Sequence, residues 1–356
     1  SGKLSHNIPP HSSSVFSISH KPVEKDKDTY ITFIYSDKNG EIAKEQIVLN
    51  RAILYPIVKK GNNVSAVDGA TSITTNFDDG YCIFNKLTGQ LESYVYNYRE
   101  LLNTEPVSEY KGFMPNVYRA PTDNDRNYRK RWDKLGLDDY TVRFDDIGVK
   151  IKKAGVEVNT FFTLISGAGK LCRIKIDYLV RANGSLEVES TLIPSGKIKG
   201  EIPRFGFMIE LPRECNKIEY YGLGEKENMP DMNEHCTMGI YKTTVEKMHI
   251  PYIKPQDNGN RSGVRWLKIS DDANKGFFVS ANDAKGFVFN AHEYTQKRLQ
   301  YAMHQEDLRD ENTVVLSVDG FTRGLGSNSC GPGPDKEHRF NVDKPLSFKV
   351  MIVPVE

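Results

Sequence analysis

Short apolar or β-branched runs recur along this chain, and turn residues separate each run from the next. Residues 30–35 are followed by turn chemistry at residues 37–40, and residues 45–49 can return as a partner strand. A second hairpin is predicted from residues 81–84 and 91–96. Further strands are predicted at residues 171–180, 186–193, 205–211, 264–269, 276–281, 287–290, 314–318 and 346–353. This spacing predicts an all-β protein built as a large antiparallel sandwich.

Helical patterns are few and short. Asp125 lies just before residues 127–135 and Gly136 just after them, which gives this segment a capping residue at each end. Residues 292–303 contain no helix breaker and have apolar or aromatic side chains near helical spacing. We predict a helix in each segment. Neither is long enough to be the outer helix of a barrel, and strands and helices do not alternate.

A domain boundary is predicted where the polar stretch KKGNN, residues 59–63, separates two strand-rich regions. Residues 1–56 hold too few strands for a sandwich of their own, because a lone hairpin is only marginally stable. We therefore expect residues 1–56 to be the closing strands of a truncated, immunoglobulin-like sandwich whose first strands lie upstream. Residues 57–65 are expected to be a linker, and residues 66–356 the large sandwich.

Composition narrows the class of protein but not its compartment. The formal net charge of +1 favours neither nucleic acid nor an anionic membrane as a partner, and no apolar run is long enough to span a bilayer. The 5 scattered cysteines include no C-x-x-C pair, which argues against a zinc ribbon or a disulfide framework. Most are expected to be reduced and buried. The compartment stays open between cytoplasm and periplasm.

Glycoside hydrolysis needs two carboxylates about 5–10 Å apart, and two acidic pairs lie close together in the sequence. Glu225 and Glu227 occupy a turn-rich stretch, and Asp123 and Asp125 precede the first predicted helix. The first pair is better interpreted as a solvated loop with diverging side chains. The second is better interpreted as a turn followed by a helix N-cap.

The other patterns argue against metal and nucleotide chemistry. The acidic pair at residues 123–125 lacks the Gly and the closing Glu of a calcium loop, although an ion in another geometry stays open. The 8 histidines show no zinc-binding spacing, and Gly222-x-Gly224 precedes no helix that would bind a nucleotide. We predict no metal ligands and no cofactor in this chain. Cys330 lies in a Gly/Pro-rich loop, where exposure is expected, but no feature predicts a low thiol pKa.

Two loops are rich in groups that bind sugars well. Residues 257–261, with Arg265 and Trp266, combine amides, Arg forks and an aromatic face, and residues 321–324 form the second loop. The alternative is that these polar groups tie long loops to the sandwich.

Four segments carry a family resemblance. They are YRAPTDND at residues 118–125, YGLGEKENMPD at 221–231, PYIKP at 251–255 with NG at 258–259 and RSGVR at 261–265, and DGF at 319–321 with GLG at 324–326. In this order they resemble the C-terminal, small-chain domain of the β-galactosidases of glycoside hydrolase family 2. Residues 1–56 are similar to the end of the sandwich domain that precedes it.

The resemblance implies a galactose-mutarotase-like super-sandwich. It implies that the intact enzyme is a homo-oligomer that releases terminal β-galactose from β-galactosides with retention. The two catalytic glutamates and a magnesium ion are implied to lie in an upstream (β/α)₈ barrel, so no catalytic residue is expected in this chain. The expected protein partner is the remainder of the same polypeptide or a large subunit.

One loop of this domain in the family reaches the mouth of the barrel and places a tryptophan against the leaving-group sugar. The fourth segment aligns that loop with residues 327–334 and the tryptophan with Cys330 or a neighbour. Asn328, Ser329 and Cys330 are therefore expected to line the aglycone side, where a thiol lacks the aromatic stacking worth about 1 kcal/mol. Further candidates for sugar binding or loop anchoring are Arg119, Asp123, Asn124, Asp125, Glu227, Asn228, Asn258, Arg261, Arg265 and Phe321.

Three functional hypotheses follow. The leading one is a module that shapes the aglycone side of a β-galactosidase active site, supports the catalytic barrel and is inactive by itself. The second is a free-standing carbohydrate-binding module. The third is a mutarotase-like epimerase, which needs an acid and a base facing one cleft. Unpaired strand edges in residues 1–56 also predict self-association of the chain.

Overall fold

The N-terminal part of the chain folds as a β-hairpin. The structure, a computed structural model, describes residues 2–4, 8–53, 56, 59–105, 111–309 and 311–355. Strand β1 (Thr29–Asp37) pairs antiparallel with β2 (Gly40–Asn50), which confirms the first predicted hairpin. The backbone N–H of Asn39 donates to Asp37 Oδ1 at 2.6 Å, and Gly40 has a φ of 127°, a conformation that favours glycine. The immunoglobulin-like assignment of residues 1–56 stays a prediction.

A five-stranded antiparallel meander follows. Its strands, in sheet order, are β3 (Val64–Asp68), β4 (Ser72–Phe77), β5 (Gly80–Asn85), β6 (Leu91–Tyr96) and β7 (Arg99–Glu100). Strand β3 begins inside the predicted linker, of which residues 57 and 58 lie outside the described residues. The backbone N–H groups of Asn62 and Asn63 donate to the carboxylate of Asp78 at 2.7 and 3.0 Å. These bonds tie the second half of the predicted linker to the meander.

The remaining described residues form two further sheets and three short helices. The helices are α1 (Arg126–Leu135), α2 (Val245–Met248) and α3 (Gln296–Tyr301), with 3₁₀ turns at Asp123–Asp125, Gln305–Asp307 and Lys336–His338. The strands are β8 (Met114–Asn116), β9 (Thr141–Lys152), β10 (Gly155–Ser166), β11 (Gly169–Val180), β12 (Leu186–Ile193), β13 (Arg204–Pro212), β14 (Lys217–Gly224), β15 (Thr237–Thr244), β16 (Arg261–Val264), β17 (Trp266–Ser270), β18 (Gly276–Ala281), β19 (Phe287–His292), β20 (Thr313–Thr322) and β21 (Leu346–Val355).

These two further sheets are antiparallel and differ in burial. One sheet has nine strands in the order β15-β14-β17-β18-β21-β12-β11-β10-β9, and the other has five in the order β16-β19-β20-β13-β8. Strand β12 alternates buried and half-buried residues, as expected for a sheet with one face to the core, whereas every residue of β19 is buried. The five-stranded sheet that contains β19, here called the inner sheet, therefore forms the inner layer.

Aromatic contacts join the sheets into one core. Phe207 of the inner sheet stacks on Phe348 of the nine-stranded sheet, with ring centroids 5.6 Å apart. Phe84 of the meander meets Tyr178 of the nine-stranded sheet edge-on at 5.0 Å. The predicted all-β antiparallel sandwich is confirmed.

The helix predictions are confirmed once and corrected once. The first predicted helix is α1, which begins one residue early and ends at Gly136 in the left-handed conformation. The second prediction is wrong at its start, because His292 pairs with Val315 at the end of β19. The helix begins only after Thr295, whose Oγ1 accepts the Arg298 backbone N–H at 3.2 Å.

The turn-rich stretch that holds Glu225 and Glu227 is preceded by strand residues. Gly222 and Gly224 are the last residues of β14, paired with β15. A Cβ at Gly222 would lie 2.9 Å from Val264, and one at Gly224 would lie 2.4 Å from the Tyr220 hydroxyl. Glycine is needed in this strand for close packing rather than for a turn.

Candidate functional site

The four family-like segments converge on one cleft of about 220 Å³. The predicted residues that line it are Asp123, Asn124, Glu227, Asn228 and Ser329. The other lining residues are Thr122, Met229, Met232, Tyr252, Gln256, Asp257, Asn260 and Leu325. Because these residues come from loops far apart in the sequence, the fold builds the cleft and no single motif does.

A fully buried ion pair holds the first segment. Arg119 Nη2 lies 2.8 Å from Asp125 Oδ1, and Arg119 Nη1 donates to the backbone oxygen of Arg323 at 2.9 Å. Asp125 Oδ2 also accepts the backbone N–H and the hydroxyl of Thr122, each at 3.0 Å. Asp125 stands at the N-cap position of α1, but its side chain closes the preceding 3₁₀ turn instead. Both residues anchor the loop that presents Asp123 and Asn124.

The second segment is fixed by Glu227 and Asn228. Glu227 accepts hydrogen bonds from the Tyr252 hydroxyl and, at 2.7 Å, from the Gly259 backbone N–H. Burial and the adjacent Glu227 carboxylate raise the pKa of Tyr252 above its ordinary value. Asn228 is fully buried, and its Oδ1 accepts the backbone N–H of Ser262 at 2.9 Å. Glu227 therefore faces the cleft with both carboxylate oxygens already engaged.

Asp257 organises the third segment. Its Oδ2 accepts from Arg204 Nη2 at 2.7 Å and from Asn260 Nδ2 at 2.8 Å. Its Oδ1 accepts from Asn290 at 3.0 Å and from Gln296 at 3.2 Å. Burial acts to raise the pKa of Asp257, but the Arg204 and Arg119 guanidinium groups hold it below its ordinary value. The Asp257 carboxylate is a buried anchor at the cleft wall rather than a free ligand.

The buried charges continue below the cleft. Arg204 Nη1 lies 3.3 Å from Asp319 Oδ2 in the fourth segment, and both side chains are fully buried. Burial raises the pKa of Asp319 to about 7 and lowers the pKa of His292 to about 4. Arg204 belongs to no motif, and sequence analysis missed it because its carboxylate partners lie more than fifty positions away.

The loop of residues 327–334, here called the Cys330 loop, is held at its base by residues from other segments. The carboxylate oxygens of Asp231 accept the backbone N–H groups of Leu325 at 3.0 Å and Gly326 at 2.7 Å. Asn124 Nδ2 donates to the backbone oxygen of Gly326 at 2.6 Å. Cys330 itself is exposed. Asp231 ends the motif at residues 221–231, but nothing in the sequence marks it as the anchor of a loop almost a hundred positions away.

Of the three loop residues predicted to line the aglycone side, the cleft lining includes only Ser329. Asn328 is buried, and its Oδ1 accepts a hydrogen bond from Asn127 Nδ2 at 2.8 Å. Cys330 directly follows Ser329 in the same loop and is exposed.

Comparison with known proteins identifies the family of this chain. Residues 78–352 match the family described as the β-galactosidase small chain. The chain belongs to this family. A β-galactosidase of Actinobacillus pleuropneumoniae is 35% identical over 63% of the chain, and one of Lactobacillus delbrueckii subsp. bulgaricus is 29% identical over 90% of it. One of Staphylococcus xylosus is 28% identical over 86% of the chain. The regions aligned with this chain make up only 22%, 30% and 30% of the lengths of these three relatives.

The other predicted residues make their contacts away from the cleft. Asn258 Oδ1 accepts the Ile250 backbone N–H at 2.9 Å, and Arg261 donates to the Tyr220 hydroxyl at 3.0 Å. Phe321 stacks on Phe205 with ring centroids 6.2 Å apart. Arg265 is buried against the N-terminal hairpin. None of these predicted residues is among the described residues that line the cleft.

The small-chain domain brings neither acidic pair together in the cleft. Glu225 is exposed and does not line the cleft, and Asp125 is buried in an ion pair with Arg119. Among the described residues, no histidine lines the cleft, so the His–carboxylate pair that an epimerase needs does not form there. No three His, Cys, Asp or Glu residues of the described chain converge as a metal site. No described helix is long and apolar enough to cross a membrane.

Proposed function

We propose that this chain forms the aglycone wall of a β-galactosidase active site and that the bond-breaking carboxylates lie in another part of the enzyme. The convergence of the four segments on one cleft, with the Cys330 loop at its edge, carries the proposal. The partner is the rest of the same polypeptide or a larger subunit. The ligand is a β-galactoside bound between the two parts.

The carboxylates of the cleft support a binding role rather than a catalytic one. Glu227 is held by Tyr252 and Gly259, and Asp257 accepts four hydrogen bonds. Asp123 is the exposed carboxylate of the three. Retaining and inverting glycosidases both need an acid and a second carboxylate free to act on the sugar. One exposed carboxylate beside two anchored ones does not supply that pair.

The buried ions under the cleft support a rigid wall. Arg119, Arg204 and Arg323 are fully buried and pair with Asp125, Asp257 and Glu201. A binding surface held this way loses little conformational freedom when ligand arrives, and a preformed surface retains more of its contact energy as affinity.

Activity assays test the proposal in two steps. The purified chain is expected not to hydrolyse a nitrophenyl β-galactoside, whereas the intact enzyme that contains it is expected to do so. In the intact enzyme, Cys330→Trp is expected to raise kcat/KM for lactose about fivefold, because it restores a stacking face. Cys330→Ser is the control, since it changes the loop without adding a ring.

Two results would overturn the proposal. One is robust turnover by the purified chain after repeated purification. The other is an intact enzyme whose kcat/KM for lactose is the same with Cys, Ser and Trp at position 330.

A further inference from the structure

A second hollow, of about 340 Å³, adjoins the cleft. Thr122, Asp123, Gln256 and Ser329 line both hollows. The second hollow, here called the basic groove, is lined in addition by Pro121, Arg126, Arg129, Lys254, Pro255 and Gln300. Among the described residues, no Lys or Arg lines the cleft, whereas its carboxylates are Asp123, Glu227 and Asp257. The two adjoining hollows therefore differ in charge.

The cations of the basic groove lack strong counterions. Lys254 Nζ donates to the backbone oxygens of Pro255, Gln300 and Ala302 rather than to a carboxylate. Burial and the positive charge of Arg129 lower the pKa of Lys254, and the Asp307 carboxylate offsets only part of this shift.

The two arginines of the groove are both exposed. Arg129 Nε lies 3.5 Å from Asp133 Oδ2, a half-exposed contact within one helix, which contributes little. Arg126 is exposed and makes no ion pair in the part of the chain that the structure describes. Both guanidinium groups are free to meet an anion.

We infer that the basic groove binds an anionic group on the aglycone, so that the preferred substrates are β-galactosides whose leaving part carries a sulfate, carboxylate or phosphate. The inference rests on the proposed function, because Ser329 borders both hollows and belongs to the loop assigned to the aglycone. Arginine forks bind such oxyanions through paired N–H donors. The carboxylates of the cleft favour an uncharged sugar ring over an anion. The cations of the basic groove favour an anionic group.

Matched substrates test the inference in the intact enzyme. Nitrophenyl β-galactosides bearing either a carboxylate or an uncharged carboxamide on the ring differ mainly in charge. Galactosyl disaccharides with and without a sulfate ester form the second arm, and it shows which oxyanion the groove prefers. We expect kcat/KM to favour the charged substrate roughly five- to tenfold at low salt, and the ratio to shrink in 0.5 M NaCl because exposed cations are screened at an ionic strength of about that order.

The double variant Arg126→Gln/Arg129→Gln is expected to bring the charged-to-neutral ratio close to one. Lys130→Gln/Lys134→Gln is the matched control, because it removes two positive charges from exposed positions of α1 that do not line the groove. All four altered side chains are exposed, so the melting temperature is expected to stay unchanged and to report correct folding.

The possible failures are distinguishable. Equal kcat/KM for charged and neutral substrates, or a preference that survives in the double variant, overturns the inference and leaves the aglycone wall in place. An intact enzyme that hydrolyses neither substrate rejects the proposed function and the inference with it.

Discussion

Arg265 Nε lies 3.4 Å from Asp28 Oδ2, and each side chain is only 3% exposed. The other Asp28 oxygen accepts the Ala52 backbone N–H at 2.6 Å, and Arg265 donates to the Ala52 backbone oxygen. The Tyr221 hydroxyl donates to Asp28 at 3.2 Å. This buried pair clamps the N-terminal hairpin to the large sandwich, beside a side-chain bridge from Gln46 to the Met238 backbone.

Asp28→Ala is expected to lower the free energy of unfolding by about 3 kcal/mol, because it leaves the buried Arg265 charge without a partner. Urea denaturation measures the change. Asp26→Ala removes an exposed carboxylate two residues away and is expected to change the free energy by less than about 0.5 kcal/mol. Equal effects of the two substitutions would contradict the clamp.

His292 makes stability depend on pH. Burial lowers its folded pKa to about 4, against about 6.5 in the unfolded chain. The buried Asp319 carboxyl, whose pKa is raised to about 7, contributes a slope of the opposite sign in this window. At His292 the unfolded state binds more protons between these pH values, so the contribution of His292 to the free energy of unfolding falls as pH drops from about 6.5 to about 4. This contribution, about 3 kcal/mol, is fully present above pH ~6.5 and is lost at about pH 4.

His292→Gln is expected to remove the part of the pH dependence that comes from the imidazole and to leave the opposite contribution of Asp319. Urea denaturation at pH 4.5 and 7.5 compares the variant with the unaltered chain, and His304→Gln, at an exposed position, is the control. Parallel pH curves for the His292 variant and the unaltered chain would show that the imidazole does not titrate in this window.

Asp231 is expected to control the order of the Cys330 loop. Asp231→Ala removes the acceptor of the Leu325 and Gly326 backbone N–H groups. Losing these bonds, at about 1–2 kcal/mol, is expected to speed hydrogen exchange at both amides about tenfold. Glu234→Ala, at an exposed position nearby, is expected to leave both rates unchanged. Unaltered exchange in the Asp231 variant would remove this role.

Thiol labelling tests the exposure of Cys330. The other four cysteines are buried, and burial raises the pKa of Cys172 to about 12 and of Cys215 to about 11. The native chain is expected to take up one equivalent of maleimide, and the denatured chain five. Cys330→Ser is expected to abolish native labelling. Labelling of that variant at an unchanged rate would place the reactive thiol elsewhere.

Most strands and the first helix were predictable because their signals are local. Residues 186–189 alternate apolar and polar side chains, and Gly136 ends α1 where a left-handed residue is needed. Strand β9 was missed because it is an edge strand whose many charged residues hide the alternation. The start of the second helix was misplaced because His292 is drawn into pairing with Val315.

The sequence by itself determined the fold class, since strand alternation and turn chemistry depend on neighbours a few residues apart. It also determined the family, since four ordered segments are sufficient for recognition. Only the tertiary structure decided which polar residues face the cleft. Asp123 and Asp125 look equivalent in the sequence, yet one is exposed and the other is sealed against Arg119. A charged side chain finds its partner through the path of the whole chain, which brings Arg204 to Asp257 and places Arg126 and Lys254 around one groove.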